Sequence, residues 1–336
     1  MSLRRHELPS SVRMRSRLTI SPERYQRIAV VALVLLTLIV FTGAAVRLTG
    51  SGLGCPEWPK CTEDRLAAEL DTHGLIEFVN RVFSGLVALT AVAAGALAFF
   101  RVPFRRDLMV LGMLLPAGVV GQGVLGGLTV IYDLKPGLVM SHYGLSMLIL
   151  VAAWALWWRS RPQWEAQQAA APGPPADRAT LWTARLLVPV GALTVFAGTA
   201  ATAAGPHAGG SGTGDVIQRL DLKGAGTLDW AIHQHGYVAA TLGAVALIAL
   251  TVALLRHAGR GLVLALASVL ALLAVQGAIG AVQYALELPA EIVWVHVCLA
   301  TCTWVALLWT WSAAGEPASA AQPVASAPAP VSAPAG

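Results

Sequence analysis

Gln122 and His142 stand 20 residues apart, and so do Gln276 and His296. Gln122-Gly123-Val124-Leu125-Gly126 opens the first interval and Gln276-Gly277-Ala278-Ile279-Gly280 opens the second, and the two align without a gap. An apolar hairpin written twice, delivering one histidine each time, points to two copies of a site for a metal or metallo-cofactor, since neutral imidazole is a common metal ligand.

The elements that must position these histidines follow from composition. Apolar residues make up 56% of the 336 and charged residues only 12%, which excludes an ordinary soluble domain. A hydrocarbon core of roughly 30 Å takes about 20 helical residues. Eight runs are long enough, near 27–48, 77–100, 107–131, 137–158, 180–204, 230–255, 261–284 and 291–313. Each is too continuously apolar for the alternating strands of a membrane barrel, so the expected fold is all-α with eight transmembrane helices.

Basic residues set the expected orientation. With the N-terminus in the cytoplasm, most of the 23 lysines and arginines fall inside, as the positive-inside rule requires for both termini. The net charge of +5 then belongs to topology and calls for no nucleic-acid partner. Residues 1–26 form a basic cytoplasmic tail without the apolar core of a secretory signal. Residues 159–179 read as a polar cytoplasmic linker, and 314–336 as a low-charge, Ala- and Pro-rich disordered tail.

The duplication extends beyond the opening pair. A shift of 155 residues sets Val40-Phe41 on Val195-Phe196 and Gly43 on Gly198; a shift of 154 relates the third and fourth helices to the seventh and eighth. Four helices per unit keep the copies parallel, so residues 27–158 and 180–313 are expected to form two four-helix bundles related by an axis along the membrane normal.

Depth sorts the histidines. His6, His73, His207 and His257 fall in loops or at helix edges, whereas His142 and His296 lie a few residues inside the outer ends of their helices. An imidazole within the membrane is costly unless paired or bound. His233 and His235 share this depth but diverge by about 200° around the helix. The repeat aligns His235 with Asn80 and His233 with Phe78, so His235 is expected to face inward. His235 and His296 then make a bis-histidine pair of the kind that holds a haem between helices. In the first bundle the matching pair is Asn80 and His142, with one ligand missing. Two strong ligands suit electron transfer, whereas one leaves room for dioxygen or an exchangeable haem. Glu77 stands three residues before Asn80, on the same helix face, as a carboxylate for proton transfer.

The outer loop Thr49-Gly50-Ser51-Gly52-Leu53-Gly54-Cys55-Pro56-Glu57-Trp58-Pro59-Lys60-Cys61 encloses two cysteines in a compartment that permits disulfides. A Cys55–Cys61 bridge is open to a structural or an electron-exchanging role. Cys298 and Cys302, one turn apart, read as small apolar residues of the eighth helix.

These residues resemble a known family. Val46-Arg47-Leu48-Thr49-Gly50-Ser51-Gly52-Leu53 leading into Cys55-Pro56-Glu57-Trp58-Pro59-Lys60-Cys61, the helix start Ile76-Glu77-Phe78-Val79-Asn80-Arg81 and the four-helix duplication are similar to haem A synthases of the bacterial form, over about residues 25–313. The resemblance implies haem o as substrate, haem a as product, and oxidation of a porphyrin methyl to a formyl group by successive hydroxylations. It implies a haem b held by His235 and His296, a substrate haem in the N-terminal bundle on His142, and an acidic role for Glu77. Many members have histidine where this chain has Asn80; His142 alone, or His73 swinging in from the loop, would then hold the substrate. Arg47 and Arg81, at outer helix ends, could contact haem propionates or snorkel to the interface. Gln122 and Gln276 could line the sites or bond across helices. Such an enzyme would sit in the bacterial cytoplasmic membrane among lipid, with an electron donor and a neighbouring haem O synthase as expected partners. A b-type cytochrome that only passes electrons, or a haem carrier, is the alternative from a different class.

Overall fold

The computed structural model describes residues 19–65, 67, 71–169, 177–207, 209–210 and 213–315. Most of the basic tail (1–18), part of the linker (170–176) and the C-terminal tail beyond 315 lie outside the described residues.

The fold is all-α. Eight helices are long and apolar enough to cross a membrane: α1 (Pro22–Leu48), α2 (Thr72–Ala98), α3 (Arg106–Ile131), α4 (Pro136–Ser160), α5 (Arg178–Ala204), α6 (Thr227–Leu255), α7 (Arg260–Ala285) and α8 (Ala290–Ala314). All eight expected spans are present, and the chain is a multi-pass membrane protein. Two start well before their apolar runs because polar caps begin them. Ser21 accepts from Arg24 N–H ahead of Pro22, and Asp71 accepts from the His73 and Gly74 N–H groups. Such side chains satisfy the first-turn donors that a helix leaves unpaired. The described part of the linker carries a short helix over Pro162–Ala169.

Neighbour relations are regular. Helix α1 packs on α2, α2 on α3, α3 on α4 and α4 back on α1, while α5 to α8 close a second ring in the same order. Between the rings, α1 meets α8, α4 meets α5, and α4 meets α8. Lipid supplies little drive for helix association, so close packing and interhelical hydrogen bonds must hold the assembly. Small residues provide the first: a Cβ added to Gly95 on α2 would stand 3.0 Å from Gly112 O on α3. Indoles provide the second: Trp294 donates to Phe41 O at 2.9 Å, Trp154 to Ser312 Oγ at 3.0 Å and Trp304 to Met147 O at 3.0 Å. All three bonds join one ring of helices to the other.

The duplicated hairpins share their turns. After α3, Asp133 and Leu134 take left-handed φ values of 50° and 54°; after α7, Glu287 and Leu288 take 62° and 65°. Leu134 N–H then bonds Thr129 O, and Leu288 N–H bonds Gln283 O, each at 2.7 Å. Left-handed backbone costs a non-glycine residue roughly 1–2 kcal/mol, so the same two-residue strain in both copies is held by the helices it joins.

Candidate functional site

Three of the four long hairpins set a glycine of the first helix against a histidine of the second. Cβ atoms built on these glycines measure the approach. On Gly198 (α5) one would lie 3.0 Å from His235 Cε1 (α6), on Gly126 (α3) 3.2 Å from His142 Cε1 (α4), and on Gly280 (α7) 3.5 Å from His296 Cε1 (α8). The fourth hairpin differs, since Gly43 (α1) has nothing within 4 Å and its repeat partner position on α2 is Asn80. The glycines let the imidazoles lie flush between helices; Gly126 and Gly280 are marked in the sequence by their spacing from the repeated glutamines, and Gly198 by its repeat match to Gly43.

His235 and His296 come together, with ring centres 6.2 Å apart. A metal–imidazole bond is about 2.0 Å and the nitrogen stands about 1.1 Å from its ring centre, so two imidazoles across one metal ion have centres about 6.3 Å apart. His235 Nδ1 lies 3.1 Å from Thr194 O. A carbonyl only accepts, so the proton is on Nδ1 and Nε2 keeps its lone pair for a metal. His233 instead turns outward, half-exposed, with Nδ1 on Asp229 O at 2.8 Å. Among the described residues no three His, Cys, Asp or Glu side chains converge as a bare-metal site. Two facing imidazoles are a donor set that fits a haem iron.

In the first ring of helices His142 Nδ1 is buried with no partner among the described residues. Gln122 reaches across from α3, its amide donating to His142 O at 3.0 Å and to Ser146 Oγ at 2.8 Å. Asn80 Oδ1 accepts from Thr42 Oγ1 at 2.8 Å, which ties Asn80 back to α1.

Glu77, one turn earlier on α2, is engaged elsewhere. The carboxylate is 5% exposed; Oε2 accepts from Cys55 N–H at 2.8 Å and Oε1 from Arg81 at 2.6 Å. Arg81 uses every N–H it has: Nε and one Nη2 hydrogen on Glu77, the other on Cys55 O, and Nη1 on the Glu57 and Lys60 carbonyls. Its guanidinium also stacks 5.5 Å over the Trp58 ring. The pair thus clamps the loop closed by the Cys55–Cys61 disulfide. Sequence reasoning groups Glu77 with Asn80 and misses the Glu77–Arg81 pair, although its four-residue spacing is a signal for it; the carbonyls are brought in by tertiary folding.

Arg47 is differently placed. Its Nε donates to His207 O at 3.1 Å, and its Nη groups make no hydrogen bond to another described residue. The loops that follow α1, α5 and α7 interlock around it: Gly52 N–H bonds Gly209 O at 2.8 Å, and His207 Nε2 donates to Leu288 O at 2.7 Å. His73 belongs to the first turn of α2 rather than to a loop, and its Nδ1 lies 2.8 Å from Ser51 Oγ. Cys298 and Cys302 are free and partly exposed on α8.

Fold and site define a multi-pass helical membrane protein with a paired-imidazole centre inside its helices. Residues 26–213, more than half of the chain, match the COX15-CtaA model, described as cytochrome oxidase assembly protein, and the chain belongs to that family. Similar curated proteins include the Heme A synthase of Lysinibacillus sphaericus, 30% identical over 125 residues (37% of this chain, 41% of that protein). Others are the Heme A synthases of Listeria welshimeri, 26% identical over 122 residues (36% and 40%), and Alkalihalophilus pseudofirmus, 28% over 116 residues (34% and 39%). The chain spans about two fifths of the length of these relatives.

Proposed function

We propose that this protein is a haem A synthase, which takes haem o as substrate and oxidises one porphyrin methyl group to a formyl group by successive hydroxylations, giving haem a. Family membership and the names of the relatives support the reaction class. One structural observation carries the reading: the duplicated hairpins are unequal, His296 having His235 at 6.2 Å and His142 having no second imidazole at its counterpart, Asn80.

On this reading the C-terminal bundle, 180–313, keeps a haem b between His235 and His296. Held by these two residues, the group would supply one-electron transfer. The N-terminal bundle, 27–158, takes the substrate haem on His142, with Asn80 on the opposite wall. Glu77 is the carboxylate that handles protons, held at a fixed place by Cys55 N–H and Arg81. Arg47, with Nη donors to spare, is the better propionate contact; Arg81 would have to release the disulfide loop to make one. An electron donor and a haem O synthase that hands over substrate complete the partners.

The closed rings α1–α4 and α5–α8, and the matching α4–α5 and α8–α1 contacts, support two parallel repeats about an axis along the membrane normal. Both termini then lie in the cytoplasm, and the home is the bacterial cytoplasmic membrane.

Co-expression with a haem O synthase, followed by extraction of the haems, tests the function. Hydroxylated or formyl haem is the expected product. Unchanged haem o beside a reducible low-spin haem would make the chain a b-type cytochrome, and unchanged haem o without one a carrier.

A further inference from the structure

Trp58, in the loop closed by Cys55 and Cys61, lies against the backbone of α3. A Cβ built on Gly127 would stand 2.5 Å from the indole Cδ1 and Nε1 and 2.9 Å from Cγ, so the ring occupies a space that only glycine leaves. From α2, the Arg81 guanidinium sits 5.5 Å from the ring centre. That guanidinium is itself fixed by Glu77 and by the Cys55, Glu57 and Lys60 carbonyls. One indole therefore meets two neighbouring helices of the first ring.

The level of this contact gives it a use. Arg81 directly follows Asn80, and Gly127 directly follows Gly126, whose added Cβ would lie 3.2 Å from His142 Cε1. Consecutive helical residues differ by only about 1.5 Å in height but by about 100° in direction. Arg81 and Gly127 thus turn away from Asn80 and His142 at the same depth, and the indole between them closes the seam of α2 and α3 at that depth.

The two repeats differ here. An offset of 154 residues keeps Gly280 in the place of Gly126 but puts Ala281 in the place of Gly127, and the stretch between α5 and α6 has no cysteine. The glycine that a seated indole requires occurs in the copy that has the indole. Trp58 is also 42% exposed and borne by a loop, so it can leave its seat without unwinding a helix. Such a wall suits a site that must admit one haem and release another, and a resident haem has no need of it.

Resting on the substrate-site reading above, we propose that Trp58 is the movable side wall of the haem o site. Seated on Gly127 and beneath Arg81, its ring closes the α2–α3 seam against loss of a haem held by His142, and leaving that seat opens the seam.

The test uses the full-length protein in detergent, with its resident haem in place and ferric haem b as the probe. Binding of the added haem is followed by absorption, and its loss by transfer to an excess of a haem-scavenging apoprotein. Trp58→Ala should speed that loss by about 10-fold, the scale of one lost aromatic contact, while the low-spin spectrum stays as in wild type. Trp58→Phe should restore most of the retention. Gly127→Ala keeps the indole and the disulfide but fills the seat, and should behave as Trp58→Ala with the Cys55–Cys61 bond still intact by thiol counting. Loss rates within twofold of wild type in both Trp58→Ala and Gly127→Ala would overturn the proposal and leave the indole as a cover for the α3 backbone. Failure of the wild type to take up the added haem, or equal uptake by His142→Ala, would instead overturn the reading of His142 as the substrate ligand, and this proposal with it.

Discussion

Gly198 on α5 backs the ring of His235 on α6 so closely that a Cβ there would stand 3.0 Å from Cε1 and 3.3 Å from Nδ1. Real Cβ contacts rarely come so near, so an added methyl must push the ring. Gly198→Ala should therefore tilt His235 away from His296 and weaken the low-spin haem spectrum. Gly43, its repeat equivalent, has open space around it, and Gly43→Ala should leave the spectrum and the melting temperature of the detergent-solubilised protein unchanged. Equal effects at the two sites would show that neither glycine is there for an imidazole.

The same space predicts a gain. Asn80 occupies the position equivalent to His235, near a glycine with open space around it, and its side-chain oxygen accepts from Thr42 Oγ1. Asn80→His should supply a second imidazole to the N-terminal bundle, so that low-spin haem per protein rises from one towards two. Pyridine haemochrome counts against protein concentration measure it; an unchanged count means the α2 position does not face His142.

Arg81 holds the outer loop through Glu77 and three backbone carbonyls. Removing one member of a mostly buried pair leaves a charge uncompensated, which costs about 3–5 kcal/mol in well-buried cases. Arg81→Ala should lower thermal stability strongly. It should also speed reduction of the Cys55–Cys61 bond by dithiothreitol, since both cysteines are otherwise at most 1% exposed. Arg81→Lys keeps the charge but not the fork of donors, so it should fall between. Mass spectrometry after thiol trapping gives the rates, and a reduction rate indifferent to Arg81 would contradict the clamp.

Between α2 and α3, Arg101 is buried completely and pairs with Glu165 of the short helix while donating to Pro103 O. Burial pulls its affinity for the proton down and Glu165 restores part of it. Glu165→Ala should destabilise the protein by about 3 kcal/mol, because the guanidinium is left buried without its carboxylate. Asp107→Ala, which removes a partly exposed partner of Arg105, should cost under about 1 kcal/mol. Unfolding curves in mixed detergent distinguish them.

Much of the protein was legible in order of residues alone. Eight spans follow from hydropathy because the bilayer demands one kind of segment. The inward choice of His235 over His233 follows from the repeat, since duplicated helices keep their faces. Helix starts were missed where polar caps extend an apolar run, as Ser21 does for α1 and Asp71 for α2. Glu77 and Asn80 share a face by spacing, yet one turns to Cys55 and the other to Thr42, because different neighbours meet α2 at those two levels.

What the sequence determined by itself is periodic or repeated: the membrane class, the four hairpins, and three intramembrane histidines with a fourth position filled by Asn80. The tertiary structure decided what depends on distance between segments far apart in the chain. It brought His235 and His296 to 6.2 Å, committed Arg81 to the disulfide loop, and gave Gln122 and Gln276 different hydrogen-bond partners. Hydrogen bonds end within about 3.5 Å, a range at which helix packing, and no spacing along a single chain, chooses the partner.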